Sequence, residues 1–349
     1  MPFLVPPRSV STNSIVVLFM VCLTLLQDCA DDREVCVICD GTELSTGSSP
    51  DPSKDLGEPS SGRLDRGTAN PVIHAQVVTN PVEKRSWPRW SPNGDLLVYN
   101  LPVDADNSEL YLLRWRSDTP AERIAFTNPA FRYFPVLRHA DGQPSRLVYS
   151  KVTANGAGLM SAPVDGTKEQ VLTDEADTLD EQADYFGDRI VFQRTRIVSG
   201  VQAIWQLELA STTIARLLFN CLDSACVDPR FSPDGTKVAY SSNQDGNFDL
   251  FVYDLLTSKS TRLTHSLYDE RHPSWDPGGE RLAHISNRDE RDDVWILELA
   301  SGETLKVLDF SLHDRFLDWH PVDPNVLTFV AGDTLEHGIL FIYQELIGT

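Results

Sequence analysis

The chain has 349 residues and a formal net charge of −21 at pH 7, with 51 acidic residues against 30 lysines and arginines. This excess of acid argues against nucleic acids and anionic membrane surfaces as partners, because both would repel the protein. The length is compatible with one large all-β domain that follows an export segment.

The first 29 residues are typical of an export signal. The apolar run 15–26 is interrupted only by Cys22 and Thr24, and it is too short to span a membrane. It ends three residues before Cys29, which is the spacing of a lipoprotein signal, although Asp28 stands where a small residue is usual. We therefore predict a signal peptide over 1–29 with lipidation of Cys29. Soluble export and an uncleaved anchor are the alternatives.

Two further cysteine pairs are local in sequence, Cys36 with Cys39 and Cys221 with Cys226. In the oxidising compartment that export implies, we expect each pair to close a small disulfide loop. The Cys36–Cys39 pair could instead be redox-active or supply half of a zinc site. Residues 40–71 are rich in Gly, Ser, Pro and Asp and have no apolar period, so we assign 30–71 to a flexible linker.

One short phrase recurs through the rest of the chain, 72–349. Its clearest copies are PRWSPNGDLLVYN at 88–100, PRFSPDGTKVAYSS at 229–242 and PSWDPGGERLAHIS at 273–286, and a degraded copy lies at 318–331. The large apolar residue before each turn serves as an anchor and reveals two more copies. The anchors are Trp90, Leu137, Tyr185, Phe231, Trp275 and Trp319, at intervals of 47, 48, 46, 44 and 44 residues. Repeats of this length with several short strands each predict a six-bladed β-propeller of four-stranded blades.

Each unit is expected to supply four strands. In the fourth unit they are 229–231, 237–242, 249–254 and 261–264, with a Ser-Pro-Asp-Gly turn after the first. Proline sets the first angle of that turn, Asp bonds its own backbone and Gly accepts the positive φ.

The sixth unit has only three strand-like segments, near 315–319, 326–330 and 338–343. Residues 76–79 precede the first unit at the distance that separates a fourth strand from the next anchor. We therefore expect the N-terminal strand to complete the last blade, because a closed ring leaves no unpaired edge.

The repeated phrase resembles the TolB-like propeller repeat over about 73–346. Related blades occur in the TolB protein of the cell envelope, in the propeller gates of prolyl-oligopeptidase-type peptidases and in some pectin-fragment lyases. TolB carries an additional α/β domain before its propeller, where this chain has a polar linker. The Gly-x-Ser-x-Gly elbow of the peptidases does not occur in the sequence. The resemblance therefore implies the fold and favours a binding scaffold over a peptidase.

A propeller places two sets of loops on one face, those from fourth to first strands and those from second to third strands. Here these loops are polar and charged, whereas the opposite face has tight turns. We therefore expect a partner to bind the face that carries the polar loops. The candidate binding residues around the channel mouth are Asp180, Glu181, Asp269, Glu270, Arg271, Asp314 and Arg315. Because acids are in excess, a basic segment of an envelope protein or peptide is the expected partner.

Two acidic features have other interpretations. Asp249 and Asp293 both fall 18 residues after their anchors, and this shared position indicates a hydrogen bond inside the blade. The loop 104–107 offers carboxylates suited to Ca²⁺, but it lacks the spacing of a twelve-residue calcium loop.

Three histidines carry the alternative function. The lyases with this repeat hold a metal through histidines, and His272, His313 and His320 could form such a trio near the axis. The alternative is therefore a metal-dependent carbohydrate-active enzyme of the oligosaccharide lyase type. The preferred interpretation is a monomeric binding protein with no catalytic residue, metal or cofactor, which touches a membrane only through its lipid.

Overall fold

The computed structural model describes residues 73–77, 86–117, 119–138, 145–209, 212–221, 224–307, 313–334 and 337–345. These residues form strands, turns and loops. In this part of the chain there is no helix long and apolar enough to cross a membrane. The predictions for the signal peptide, for Cys29, for the linker and for the Cys36–Cys39 pair lie outside the described residues.

Twenty-four strands are described, and they divide into six successive sets of four. The first strands of the sets are β2 (Ser86–Trp90), β6 (Arg132–Arg138), β10 (Thr178–Phe186), β14 (Cys226–Phe231), β18 (Glu270–Trp275) and β22 (His313–Trp319). The second strands are β3 (Leu96–Pro102), β7 (Arg146–Thr153), β11 (Arg189–Arg196), β15 (Lys237–Ser242), β19 (Arg281–Ser286) and β23 (Val326–Thr334). The third strands are β4 (Ser108–Arg114), β8 (Gly156–Pro163), β12 (Gln202–Glu208), β16 (Asp249–Asp254), β20 (Asp293–Glu298) and β24 (His337–Glu345). The fourth strands are β5 (Glu122–Arg123), β9 (Gln170–Val171), β13 (Thr212–Asn220), β17 (Lys259–Arg262), β21 (Thr304–Lys306) and β1 (Ile73–Val77).

Within each set the strands pair antiparallel with their neighbours in sequence order. The second and third sets are joined into one eight-stranded sheet by a short parallel pairing of β8 with β10, where Gly156 lies opposite Thr178. The sixth set takes its fourth strand from the N-terminal side, since β1 pairs antiparallel with β24. The predicted closure is therefore confirmed, with the strand at 73–77 rather than at 76–79.

The six first strands contact one another in chain order, and β22 also contacts β2, which closes the ring. The fold is an all-β propeller. The number of six blades stays a prediction, and the ring of six first strands supports it.

The hydrophobic core lies between neighbouring sets. Trp319 and Phe329 of the sixth set pack on Ile285 and Val294 of the fifth, and Trp90 of the first set packs on Val330 of the sixth. Each sheet is covered on both sides, so its second strand is mainly apolar and does not alternate with polar residues. In the first set Leu97, Val98 and Tyr99 follow one another and are at most 1% exposed. The repeated anchor is thus the residue that seals one set against the previous one.

The turn after the first strand explains the Ser-Pro-Asp-Gly motif. In the fourth set the Gly235 N–H donates to the Ser232 carbonyl at 2.8 Å, and Asp234 Oδ1 accepts the Thr236 N–H at 3.0 Å. Gly235 has a φ of 65°, and a Cβ there would come within 2.3 Å of the Phe186 ring in the third set. Only glycine therefore satisfies both the turn and the close packing between sets.

Candidate functional site

The loops from second to third strands and the loops that link successive sets leave the propeller on the same side, because neighbouring strands in each set are antiparallel. We call this side the mouth face and the opposite side the turn face. Cys221 and Cys226 lie on the mouth face between β13 and β14, and they form a disulfide with their Cα atoms 5.8 Å apart.

Every first strand has a β-bulge at the same place, and one non-glycine residue at the bulge adopts a positive φ of 50–58°. Each of these residues stands three positions before its anchor. They are Trp87, Phe134, Gln182, Asp228, His272 and Phe316, which we call the axial collar. Five of them, all but Asp228, line a small cavity of about 20 Å³ on the axis, which has room for about one water molecule.

The axial collar is packed mainly by aromatic rings. The Trp87 ring lies 4.3 Å from that of Phe134 and 5.0 Å from that of Phe316, between centroids. His272 continues the ring of contacts, 6.1 Å from Phe316. Its Nδ1 atom lies 3.2 Å from Asp228 Oδ1. Burial alone would raise the pKa of Asp228, but His272, Arg230 and Arg271 together outweigh burial and lower it.

A second group of axial residues stands one position before the anchors. Arg89 bonds to Asp184 and lies 3.3 Å from Asp318, so it connects the first set with the third and the sixth. Asp318 also accepts the Trp90 N–H at 2.8 Å, and Asp184 accepts the Phe231 N–H at 2.7 Å. We call Arg89, Asp184, Arg230 and Asp318 the axial ion cluster.

Burial and mutual charge set the protonation of this cluster. Burial lowers the pKa of Arg230 to about 10, and the nearby charge of Arg89 adds to the effect. Burial would lower the pKa of Arg89 as well, but Asp318 and Asp184 outweigh it and raise the pKa. Burial raises the pKa of Asp318, against the attraction of Arg89. The cluster and the axial collar together fill the axis, which leaves the mouth face as the side where a ligand has room.

A larger cavity of about 280 Å³, the mouth cavity, opens where the fifth set meets the sixth. It is lined by Asp269, Arg271, His272, Ile285, Asn287, Asp292, Arg315 and Phe316. The residue before β18 and the start of β18 supply the first three. The end of β19 and the following loop supply the next three, and β22 supplies the last two. The cavity therefore combines charged and polar groups with apolar surface, to which Ile285 and Phe316 contribute.

The fifth-set wall of the mouth cavity is held by a short network. The Arg271 guanidinium lies 3.6 Å from the centroid of the Phe248 ring and donates to Asp269 Oδ2 at 3.3 Å. Asp269 Oδ1 accepts the Phe248 N–H at 2.9 Å, and the Asp269 N–H donates to Asn287 Oδ1 at 2.9 Å. These bonds fix the direction of the Arg271 and Asn287 side chains.

The sixth-set wall carries Arg315, which is half-buried. Burial lowers the pKa of Arg315, against the opposing attraction of Asp292. The adjacent Asp314 is fully buried, and burial together with the charge of Asp293 raises its pKa well above the ordinary range. This shift moves Asp314 toward its neutral form relative to an exposed aspartate.

Three of the predicted binding residues are corrected by their burial. Asp180, Glu270 and Asp314 are 0% exposed, so none of them can contact a partner from solution. Asp180 accepts two hydrogen bonds from Arg194, at 2.6 and 2.7 Å. Glu270 lies 2.6 Å from both His284 Nε2 and Arg288 Nη2. All three residues lie near the start of a first strand, and their carboxylates are buried there. The prediction was wrong because it took the polarity of the loop sequence as a sign of exposure.

The other four predicted residues reach the mouth face. Asp269, Arg271 and Arg315 line the mouth cavity. Glu181 lies on the third set and accepts a hydrogen bond from the Tyr133 hydroxyl at 2.8 Å. Burial raises the pKa of Glu181 to about 7, and the charge of Asp180 adds to the effect. A binding role for these four residues stays a prediction.

The shared position of Asp249 and Asp293 has the expected structural meaning. Asp249 bonds to Arg262 at 2.6 Å and to Thr264 at 3.0 Å, and Asp293 lies 2.8 Å from Lys306 Nζ. All three contacts connect the start of a third strand with the fourth strand or the residues just after it, so the prediction of a bond inside the blade is confirmed.

The two histidines of the predicted trio whose side chains are described do not lie together. His272 belongs to the axial collar, whereas His320 follows the far end of β22 and bonds to the Gly94 carbonyl at 3.1 Å on the turn face. The side chain of His313 lies outside the described residues. In the loop 104–107, Asp104 Oδ1 accepts from the Asp106 N–H and from the Asn107 amide, both at 2.9 Å. Among the described residues, no group of three or more His, Cys, Asp or Glu could hold a metal ion.

The axial collar and axial ion cluster were missed by the sequence interpretation. Their signal was present, since each residue keeps a fixed distance of three or one from its anchor. The residue types at these two positions differ from unit to unit, so a comparison of the repeats for identical residues does not reveal the axial collar or the axial ion cluster.

Comparison with known proteins supports the fold. Residues 144–311 match the TolB beta propeller domain family. The structure is similar to a putative TolB from Agrobacterium tumefaciens, with 16% identity and a TM-score of 0.60 over 80% of this chain and 99% of the other. TolB from Acinetobacter baumannii gives 14% identity and a TM-score of 0.52, over 77% of this chain and 65% of that one.

An enzyme has the same architecture. An oligogalacturonate lyase in complex with manganese matches with 14% identity and a TM-score of 0.50, over 78% of this chain and 93% of the other. No curated protein matches the chain in sequence. Identities at this level show the fold and leave the activity open. The ring of first strands and these neighbours show that the chain has a β-propeller fold, and its residues 144–311 match the TolB beta propeller domain family.

Proposed function

We propose that the chain is an exported, lipid-anchored protein of the cell envelope whose TolB-like propeller binds a protein or peptide on its mouth face. The observation that carries this proposal is the mouth cavity, which combines charged donors, carboxylates and an apolar floor at the rim of a filled axis. Loops on a rigid scaffold are the usual place for recognition.

Exposed apolar side chains on the same face support a macromolecular partner. Val103, Val198 and Val201 extend from the loops of the first and third sets, and Leu267 and Tyr268 lie in the loop directly before Asp269. Exposed apolar side chains beside a polar cavity are typical of protein-binding surfaces. A partner could therefore cover Leu267 while it enters the mouth cavity.

The test is capture of a partner from native envelope extract with two matched variants. Leu267 and Leu256 are both 92% exposed, and they lie on the mouth face and the turn face respectively. We expect Leu267→Asp to weaken capture of a crosslinked partner and Leu256→Asp to leave it unchanged, with equal melting temperatures. Equal capture by both variants, or loss only with Leu256→Asp, would refute binding on the mouth face.

The lipid anchor has a separate test. The proposal rests on the spacing of Leu26 and Cys29 in the sequence. Replacing Cys29 by Ser should abolish fatty-acid labelling and move the protein from the membrane fraction to the soluble fraction. An unlabelled, soluble wild-type protein would contradict anchoring and leave the binding proposal intact.

A carbohydrate-active enzyme is the second candidate, and the His272–Asp228 pair is the observation that favours it. Because Asp228 faces Nδ1 of His272, the Nε2 atom of a ring that lines the mouth cavity is left for proton transfer. Turnover of acidic or neutral oligosaccharides that disappears in His272→Gln would establish this function. Absence of turnover in a panel that includes oligogalacturonates would exclude the lyase described by the structural neighbour.

A further inference from the structure

We propose that the mouth cavity binds the C-terminal residue of a peptide, with its carboxylate on Arg271, Arg315 and Asn287 and its apolar side chain on Phe316 and Ile285. This inference rests on the proposed binding function and specifies the ligand group. It also reverses the sequence-based expectation for this spot, which favoured a basic segment.

The first argument is the convergence of donors from two sets. Arg271 projects from β18, Arg315 from β22 and Asn287 from the loop after β19, and all three line the same cavity. A guanidinium presents paired N–H groups that match a carboxylate, and such charge-assisted bonds are stronger than neutral ones. Convergent donors on a rigid wall are a recurrent means of capturing a chain terminus.

The second argument is the orientation of Asn287. Its Oδ1 atom accepts the Asp269 N–H at 2.9 Å, so the acceptor end of the amide is occupied. The Nδ2 group is therefore the end that a ligand can meet, and it is a donor only. Asn243 has the same relation to its own anchor and accepts the Ala225 N–H at 2.8 Å, but it does not line the mouth cavity.

The third argument is the local charge. Asp269 is held by the Phe248 N–H and by Arg271, and Asp314 is fully buried with its pKa raised by burial and by the charge of Asp293. Arg315 is a partly buried cation whose burial outweighs the attraction of Asp292. An anion that enters the cavity would therefore be stabilised next to Arg315, even though the chain as a whole carries −21.

The fourth argument is size. A volume of about 280 Å³ lies just below the range of ordinary small-molecule pockets, about 300–1,000 Å³. It suits one terminal residue with its backbone and excludes a folded surface. The acidic surroundings would favour basic residues further back in the peptide, where they face the rest of the mouth.

The probe is a set of N-terminally biotinylated hexapeptides ending in Ala, Val, Leu or Phe, each made as the free acid and as the amide, with and without upstream lysines. A third group carries an internal Glu and an amidated end. We expect free acids to bind at least about tenfold more tightly than their amides, the factor of a charge-assisted bond. Tighter binding of the internal-Glu group would overturn the assignment to a chain terminus.

The matched variants are Asn287→Asp and Asn243→Asp. Both keep the oxygen that accepts the backbone N–H, but only the first places a carboxylate in the cavity. We expect Asn287→Asp to weaken binding of the free acids by about 10- to 100-fold and Asn243→Asp to leave it unchanged. Arg315→Gln should reduce the preference for acid over amide, with Arg116→Gln on the turn face as its control.

Equal binding of acids and amides would overturn the inference and leave the proposed function standing. Absence of binding by every peptide would also overturn it, and the effect of Leu267→Asp on capture from extract would then decide the proposed function independently.

Discussion

The axial ion cluster should be a major source of stability, and Arg89→Met tests this. The side chain of Arg89 is 11% exposed and contacts both Asp184 and Asp318, whose carboxylates lose their nearest cation in the variant. Removing one partner from a buried ion pair costs about 3–5 kcal/mol. Because Arg230 lies close enough to interact with both carboxylates, we expect the lower end, about 3 kcal/mol. Urea unfolding followed by tryptophan fluorescence would measure the free energy of unfolding.

The matched control is Arg116→Met, since Arg116 is 64% exposed and its ion pair with Asp323 is 3.7 Å long. Such surface pairs contribute about 0–1 kcal/mol. The loss in Arg89→Met should also depend on pH. The pKa of Asp318 is already raised in the folded protein, and removing Arg89 should raise it further. A raised carboxyl pKa costs stability that is fully present above the folded-state pKa and absent below the unfolded value, so the destabilisation should shrink as the pH falls through the folded-state pKa of Asp318. A loss equal to that of Arg116→Met, or one independent of pH, would refute the reasoning.

Two further predictions concern the closure of the ring and the disulfide. Removing residues 1–72 should change the melting temperature little, whereas removing 1–78 should lower it strongly, because β24 would lose β1 as its partner; equal melting temperatures would contradict closure. Replacing Cys221 and Cys226 together by Ser should cost about 2 kcal/mol in urea unfolding, since the loop between them is short, and an unchanged midpoint under non-reducing conditions would argue against the bond.

The repeat made the architecture predictable because each copy encodes the same local geometry. Residues 237–242 and 249–254 were placed as strands with the bounds that the structure has. The first strand of that unit is longer than predicted, 226–231 rather than 229–231. Its bulge at Asp228 breaks the alternation of side chains on which strand prediction depends.

The site was harder to predict because the burial of each charged loop side chain depends on the residues that pack around it in three dimensions. Glu270 and Asp269 are adjacent in a polar loop sequence, yet Glu270 is fully buried against His284 and Arg288. Composition identifies the loop as charged but does not show which carboxylate turns inward. Arg271 and Arg315 were found because they lie in charged segments that enter first strands from the mouth face, and both stand four positions before an anchor.

The position four residues before the anchor carries charges of opposite sign in different sets, so the charge of the mouth face is uneven. Glu181 allows this unevenness to be tested. Glu181 occupies the same place on the third set that Arg271 and Arg315 occupy on the fifth and sixth. In a ring of six first strands the third and sixth lie opposite each other, so the Glu181 carboxyl group lies across the axis from Arg315. A peptide whose terminal carboxylate meets Arg315 would direct an upstream lysine toward Glu181.

The pKa of Glu181, about 7, then predicts a pH dependence. Above that value Glu181 is negative and attracts the lysine; below it the carboxyl is protonated and the attraction is lost, while the peptide carboxylate stays ionised throughout. Affinity for a free-acid peptide with an upstream lysine should fall by about two- to fivefold from pH 8 to pH 6, as expected for one partly screened charge pair. In Glu181→Gln, or with a peptide that has no lysine, the affinity should be flat over this range. The same fall in affinity for the wild type, for Glu181→Gln and for the lysine-free peptide would mean that another group titrates. It would refute the attraction between Glu181 and the upstream lysine.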